Sequence, residues 1–264
     1  MALDVLVLTA FATEDFPTDE LSPWLDREWP ATRTVPGVAD DYGSPVYHDG
    51  MTGVVSTGVG PAAAATTVTA LLESELVDES TRFLTAGIAG GPPELPIGSV
   101  VLGEAVVDWD RKHRTDDGVQ LLDYRPRDYV YELDDDLRSR VRSAAESVDL
   151  DARVTGGTVV AGGEFWHGTD RAEEVAWLCE QYDTPPYRAT VTEDAGTAHA
   201  LARYDALDRY ASIRAISNHD RPPGKTVSRS PSKTPTAPPA LQCRTCEGSD
   251  AYCSSSVCSS SRKP

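Results

Sequence analysis

The chain has 264 residues and a formal net charge of −18, the length of one large α/β domain or two small ones. The charge is uneven. Residues 1–224 carry 40 acidic against 18 basic side chains (−22), with Lys112 their only lysine, whereas residues 225–264 carry six basic and two acidic ones (+4). A surface this acidic has little with which to neutralise phosphates, which excludes nucleic acid as a partner, and it suits a cytosol of very high salt, where repulsion is screened within a few ångströms.

The opening "MALDVLVLTAFATED" lacks a basic segment and carries Asp4 ahead of its apolar run, so it predicts a first core strand, Val5–Leu8, rather than a signal peptide. Residues 16–50, rich in Pro, Asp and Tyr, read as an irregular excursion. The uncharged stretch Gly50–Leu72 is long enough to span a bilayer, but Gly53, Gly58, Gly60 and Pro61 interrupt it. It predicts a strand at Gly53–Thr57, a glycine turn and a helix at Ala62–Leu76 instead. With no convincing membrane span, a cytoplasmic location is the expectation. Arg82–Ala86 reads as a buried strand ending at Gly87, Gly90 and Gly91, and Gly98–Val107 as a longer strand. Leu133–Ser147 has helical spacing, with Leu137, Val141 and Ala145 on one face. Val154–Ala161 predicts a strand and Asp170–Gln181 a helix with Val175, Leu178 and Cys179 inward. A strand at Ala189–Thr192, a helix at Asp194–Tyr210 and a last strand at Ala211–Ile216 complete the body. Alternating strands and helices imply a mainly parallel sheet covered on both faces.

Ligands in such sheets bind beyond the carboxyl ends of strands, and the polar stretches fall there. "TGVGP" (57–61) places Gly58 and Gly60 between a strand and a helix N-terminus, where free N–H groups attract anions. "AGIAGG" (86–91, with Gly87) allows close approach of a ligand or close packing of strand on helix. "GEFWHG" presents Phe165, Trp166 and His167 in a glycine-flanked loop, suited to stacking on a flat heterocycle such as a purine or to a core aromatic cluster. In "TED" (192–194), Asp194 suits a helix N-cap, and Glu193 can accept two hydrogen bonds from a sugar diol. Glu14 and Asp15 follow the first strand as candidate general bases for water, or as a solvated acidic loop. "SNHD" (217–220) closes the last strand.

The stretches "TGVGPAAAATTVTAL", "FLTAGIAGGPPELPIGSVVLGEAVVDWD", "FWHG", "TEDAGTAHALAR" and "IRAISNHDRPPG", with "AFATED…SPW" near the start, together resemble the purine nucleoside permease family over roughly residues 3–224. That family is similar in turn to the nucleoside phosphorylases and the methylthioadenosine/S-adenosylhomocysteine nucleosidases. The resemblance implies a three-layer α/β/α domain with a mixed sheet at 1–224, a purine nucleoside as ligand, a homo-oligomer and, with the acidic composition, a haloarchaeal source. The family name implies nucleoside uptake with a membrane partner; a chain without a membrane span can bind a nucleoside or cleave its N-glycosidic bond. By resemblance, Glu14 stands where the nucleosidases activate water and Glu193 where they hold the ribose hydroxyls. Ser217-Asn218 stands where they carry a Ser-Asp pair whose acid protonates purine N7. Asparagine cannot supply a full proton but can hydrogen-bond N7 and O6 of a 6-oxopurine; Asp220, two residues on, is the alternative acid. Neither glycine stretch carries an arginine, so water is favoured over phosphate as the co-substrate, and no cofactor is implied.

From Lys225 the chain is Ser/Thr/Pro-rich and patternless, which predicts disorder over 225–264. Cys243, Cys246, Cys253 and Cys258 are too closely spaced for a zinc ribbon. The abrupt flip in charge at 225 is what a frameshift in the coding DNA would produce.

Overall fold

The computed structural model describes residues 2–13, 19–39, 45–116, 118–121, 129–148 and 152–224. The expectations for Glu14 and Asp15, and those for the disordered, frameshifted or zinc-binding tail, lie outside the described residues. In chain order the elements begin β1 (Val5–Thr9), α1 (Ser22–Leu25), β2 (Ala31–Arg33), β3 (Val46–His48), β4 (Thr52–Ser56), α2 (Pro61–Leu72), β5 (Arg82–Gly91) and β6 (Val100–Asp108). They continue β7 (His113–Thr115), β8 (Gly118–Gln120), β9 (Val130–Glu132), α3 (Asp135–Ser147), β10 (Val154–Ala161), α4 (Thr169–Gln181), β11 (Tyr187–Val191), α5 (Asp194–Arg203), a 3₁₀ turn (Leu207–Arg209) and β12 (Tyr210–His219).

The sheet order is β11-β10-β6-β12-β5-β1-β4-β3-β2, with β9 against β6. It is mixed. β4, β1, β5 and β12 run parallel to one another, as do β6, β10 and β11, and the two sets meet antiparallel at β12–β6. The sheet also curls until Thr190 of β11 pairs with Gly90 of β5, which brings the ends of strands distant in the order to one place. Both faces are covered, as the alternation of side chains along a strand requires. Leu6 and Leu8 of β1 join Val68 and Leu71 of α2 and Leu201 of α5 in the main core, whereas Val7 packs on the other face with Leu21 and Val54. On α4, Val175, Leu178 and Cys179 are buried, as their spacing predicts. On α3 only Leu137 is buried, and Val141 and Ala145 are half-buried.

Several boundaries differ from expectation. α2 stops at Leu72, short of Leu76. α5 stops at Arg203, and the chain reverses through Asp205 (φ 54°) before β12. Strands β5 and β12 run further than their apolar runs, so "AGIAGG" and "SNH" are strand rather than loop. Residues 16–50, read as irregular, contain α1, β2 and β3. The Gly50–Leu72 stretch resolves into β4, a glycine turn and α2, which starts with Pro61 at its first position. Among the described residues no helix is long and apolar enough to cross a membrane.

Candidate active site

A cleft of about 170 Å³ opens where the strands end. Its walls come from Ala10 and Phe11 after β1, Ile88–Gly90 of β5, Thr190–Glu193 around the end of β11, and Ser217 and Asn218 of β12. Val59 and the 164–166 loop form the rim, and Glu20 enters from the segment before α1. The charged side chains lining it are Glu20, Glu164 and Glu193; among the described residues no Lys, Arg or His lines it. Nor do the described residues contain a cluster of His, Cys, Asp and Glu able to hold a metal ion.

Glu20 is the residue that sequence reasoning missed. Its neighbour Asp19 accepts hydrogen bonds from the Ser22 amide (2.5 Å) and hydroxyl (2.9 Å), holding the turn into α1. Glu20 is thereby turned inward, 8% exposed. Its Oε2 accepts the Ala10 amide at 2.6 Å and its Oε1 the Ile88 amide at 2.7 Å. The carboxylate occupies the space where a side chain at position 87 would be: a Cβ on Gly87 would overlap it, with Oε2 only 2.6 Å away. Burial raises the Glu20 pKa above the ordinary carboxylate value, the Arg214 charge opposes that rise, and the Glu193 charge adds to it. A carboxylate that binds its proton more tightly is a better base near neutral pH.

Glu193 is 5% exposed and precedes α5. Its Oε1 accepts the Gly60 amide at 3.0 Å and the Thr192 hydroxyl. Oε2 carries no hydrogen bond among the described residues. The Gly60 amide thus holds the chain's own Glu193 carboxylate, in the left-handed conformation (φ 93°) that opens α2. Gly58 is likewise left-handed (φ 87°), and a Cβ there would come within 2.9 Å of Ala63; its need is conformational. α5 can approach α2 because Gly196 lies on the Pro61 carbonyl, where a Cβ would overlap. Asp194 is not a cap: it is fully buried beneath the cleft, pairing with Arg214 through Nη2 and Nε and accepting the Ser212 hydroxyl at 2.5 Å.

At the opposite wall, Trp166 is half-buried and tilts against the buried Trp109 at 6.1 Å between centroids. Phe165 is 82% exposed at the rim. The loop is pinned by the Gly163 amide to Asp110 (2.7 Å) and the Gly168 amide to the Asp220 carbonyl (2.8 Å). His167 is exposed and does not line the cleft. Ser217 and Asn218 do, because β12 carries them along the wall. The Ser217 hydroxyl donates to Asn218 Oδ1 at 3.0 Å. Asp220, the alternative acid, does not reach the cleft. It is 1% exposed, accepts the Tyr187 hydroxyl (3.0 Å) and pairs with Arg221 (2.8 Å). Its carboxylate is committed to structure.

Comparisons with known proteins identify the fold and the family. The phosphorylase superfamily model matches residues 42–233. No curated protein matches the chain in sequence. Among solved structures it is similar to the 5′-methylthioadenosine/S-adenosylhomocysteine nucleosidase of Colwellia psychrerythraea in complex with adenine, with a TM-score of 0.61, 19% identity and 84% of each chain covered. It is also similar to the corresponding nucleosidase of Neisseria meningitidis (0.62, 20%, 82% of this chain and 86% of that one). A third neighbour is the futalosine hydrolase of Helicobacter pylori (0.61, 18%, 82% and 85%). The fold is that of the nucleosidases, and the chain belongs to the phosphorylase superfamily.

Proposed function

We propose that this chain hydrolyses the N-glycosidic bond of purine nucleosides, with Glu20 in the role that resemblance assigns to Glu14. The observation that carries this reading is the charge of the cleft: carboxylates line it and, among the described residues, no cation does. A phosphate dianion would be repelled there, whereas a water molecule would find a buried carboxylate able to take its proton.

In this reading the purine packs beside Phe165 and Trp166. Glu193 Oε2 accepts the ribose hydroxyls. Water attacks C1′ as the C1′–N9 bond breaks, its proton passes to Glu20, and the bonding pair leaves with the base. With Asn218 Oδ1 held by Ser217 and one amide N–H donating to the His219 carbonyl at 3.3 Å, the second N–H remains to donate to N7, which suits a purine leaving as an anion and protonated afterwards from solvent.

The test is base release from inosine, guanosine and adenosine, with and without phosphate, in high KCl to match the acidic surface. Phosphate-independent release, lost in Glu20→Gln, is the expected result. Nucleoside binding by calorimetry with no base released would overturn it. That outcome would favour the second reading, a non-catalytic nucleoside binder serving uptake, which the asparagine at position 218 favours. The uptake role, a haloarchaeal source and a homo-oligomer are supported by the motif resemblance and composition alone.

A further inference from the structure

One arginine is buried among three carboxylates under the cleft. Arg214 is 2% exposed and clamped by Asp194, which is fully buried. In the β12–β5 ladder Arg214 lies directly opposite Gly87. Residues in register on neighbouring strands project to the same face of the sheet. The slot left by the missing Gly87 side chain holds the Glu20 carboxylate. Glu20, delivered from the segment before α1, therefore sits beside the Arg214 side chain as a cross-strand partner would. The charged groups facing Glu20 are Arg214 from β12, Glu193 and Asp194 at the start of α5, and, across the cleft, Glu164 with its partner Arg171.

We propose that Arg214, clamped by Asp194, is a positioning residue that sets the proton affinity of Glu20 and with it the pH range over which water is activated. The proposal rests on Glu20 being the base. Asp194 takes contacts from both Nε and Nη2 of the guanidinium, so Glu20 feels a cation already largely neutralised. Two substitutions then push in opposite directions. Removing the cation leaves Glu20 facing the Asp194 and Glu193 charges uncompensated, and it holds its proton to higher pH. Removing the Asp194 charge leaves a bare guanidinium beside Glu20, and it loses its proton at lower pH.

The experiment is a carbon-13 NMR titration of the full chain labelled at the glutamate carboxyls, alongside the pH profile of kcat/KM. The Glu20 signal is assigned by its loss in Glu20→Gln. Its midpoint is expected to rise by about one pH unit or more in Arg214→Gln and to fall by a similar amount in Asp194→Asn, about a tenfold change in proton affinity each way. Arg214→Lys keeps the charge and should keep the midpoint near that of the wild type. The acidic limb of kcat/KM should follow the Glu20 midpoint. A common midpoint in all variants overturns the proposal even if Glu20 proves to be the base. Opposed shifts in a protein that releases no base uphold the coupling and defeat the hydrolase reading. Should Arg214→Gln fail to fold by circular dichroism, Asp194→Asn decides alone: a midpoint unchanged or raised refutes.

Discussion

Adding one methyl group at position 87 separates the geometry of the site from its backbone. Gly87 is not among the left-handed glycines, so Gly87→Ala costs no backbone strain and by itself stabilises by about 0.4–1 kcal/mol through the unfolded chain. The new Cβ nevertheless meets the Glu20 carboxylate, whose carbon would lie 2.5 Å away. The carboxylate must leave, and with it the hydrogen bonds from the Ala10 and Ile88 amides. Bonds to a charged group contribute about 1.5–3 kcal/mol each. The two amides face an open cleft and can be rehydrated, so the net cost is about 1–4 kcal/mol. The effect on catalysis should be larger, since a positioned general base contributes about 10²- to 10⁴-fold. Urea unfolding and kcat measured side by side test this. Gly90→Ala is the comparison at the same cleft: its Cβ meets the Thr190 hydroxyl at 2.8 Å, the Asn218 amide at 3.4 Å and the Thr190 carbonyl at 3.9 Å, so it crowds the wall that faces the base and leaves Glu20 in place. If Gly87→Ala hydrolyses nucleosides at the wild-type rate, Glu20 does not act from this slot and the reasoning fails.

Gly196→Ala should destabilise by about 1–3 kcal/mol or more, read as a lower urea midpoint, because its Cβ would overlap the Pro61 carbonyl, a backbone atom that cannot turn aside; the separation of α5 from α2 should also weaken nucleoside binding by drawing Glu193 from Gly60. Burial pushes the Cys179 thiol from 9.0 up to about 11. Its contribution to stability is therefore present below pH 9 and lost as the pH rises through about 11, and the stability difference between wild type and Cys179→Ala should shrink by roughly 1–3 kcal/mol across that window; a constant difference would show that the thiol is not buried. In the native protein Cys179 should resist alkylation at pH 8, as read from the mass of its peptide, and react on unfolding.

Much of the site was legible because residues that follow strands must gather at one edge of such a sheet. Glu193, Phe165, Trp166, Ser217 and Asn218 were all named on that ground, and all line the cleft. Glu20 was not, since it sits in an acidic run, "TEDFPTDE", in which composition cannot say which carboxylate turns inward. The usable signal was local: Asp19 and Ser22 flank it as a capping turn, and a proline and a tryptophan follow in "ELSPW". The glycines of "AGIAGG" were read for their freedom, but Gly87 matters for its emptiness, a property that exists only when another segment fills it. Asp194 and Asp220 look like a cap and an acid in the sequence, and both prove to be halves of buried ion pairs with Arg214 and Arg221.

The sequence by itself determined the alternation of strands and helices, the strand ends that line the cleft and the charge of the body, because periodicity, glycine turns and composition are local properties. Which carboxylate enters the cleft, which arginine is buried beneath it and which acids are consumed by pairing were decided only by the tertiary structure. Those outcomes depend on a sheet that curls until β11 meets β5 and on a cross-strand register that sets Arg214 opposite Gly87, contacts between residues 100 or more apart that no local pattern encodes.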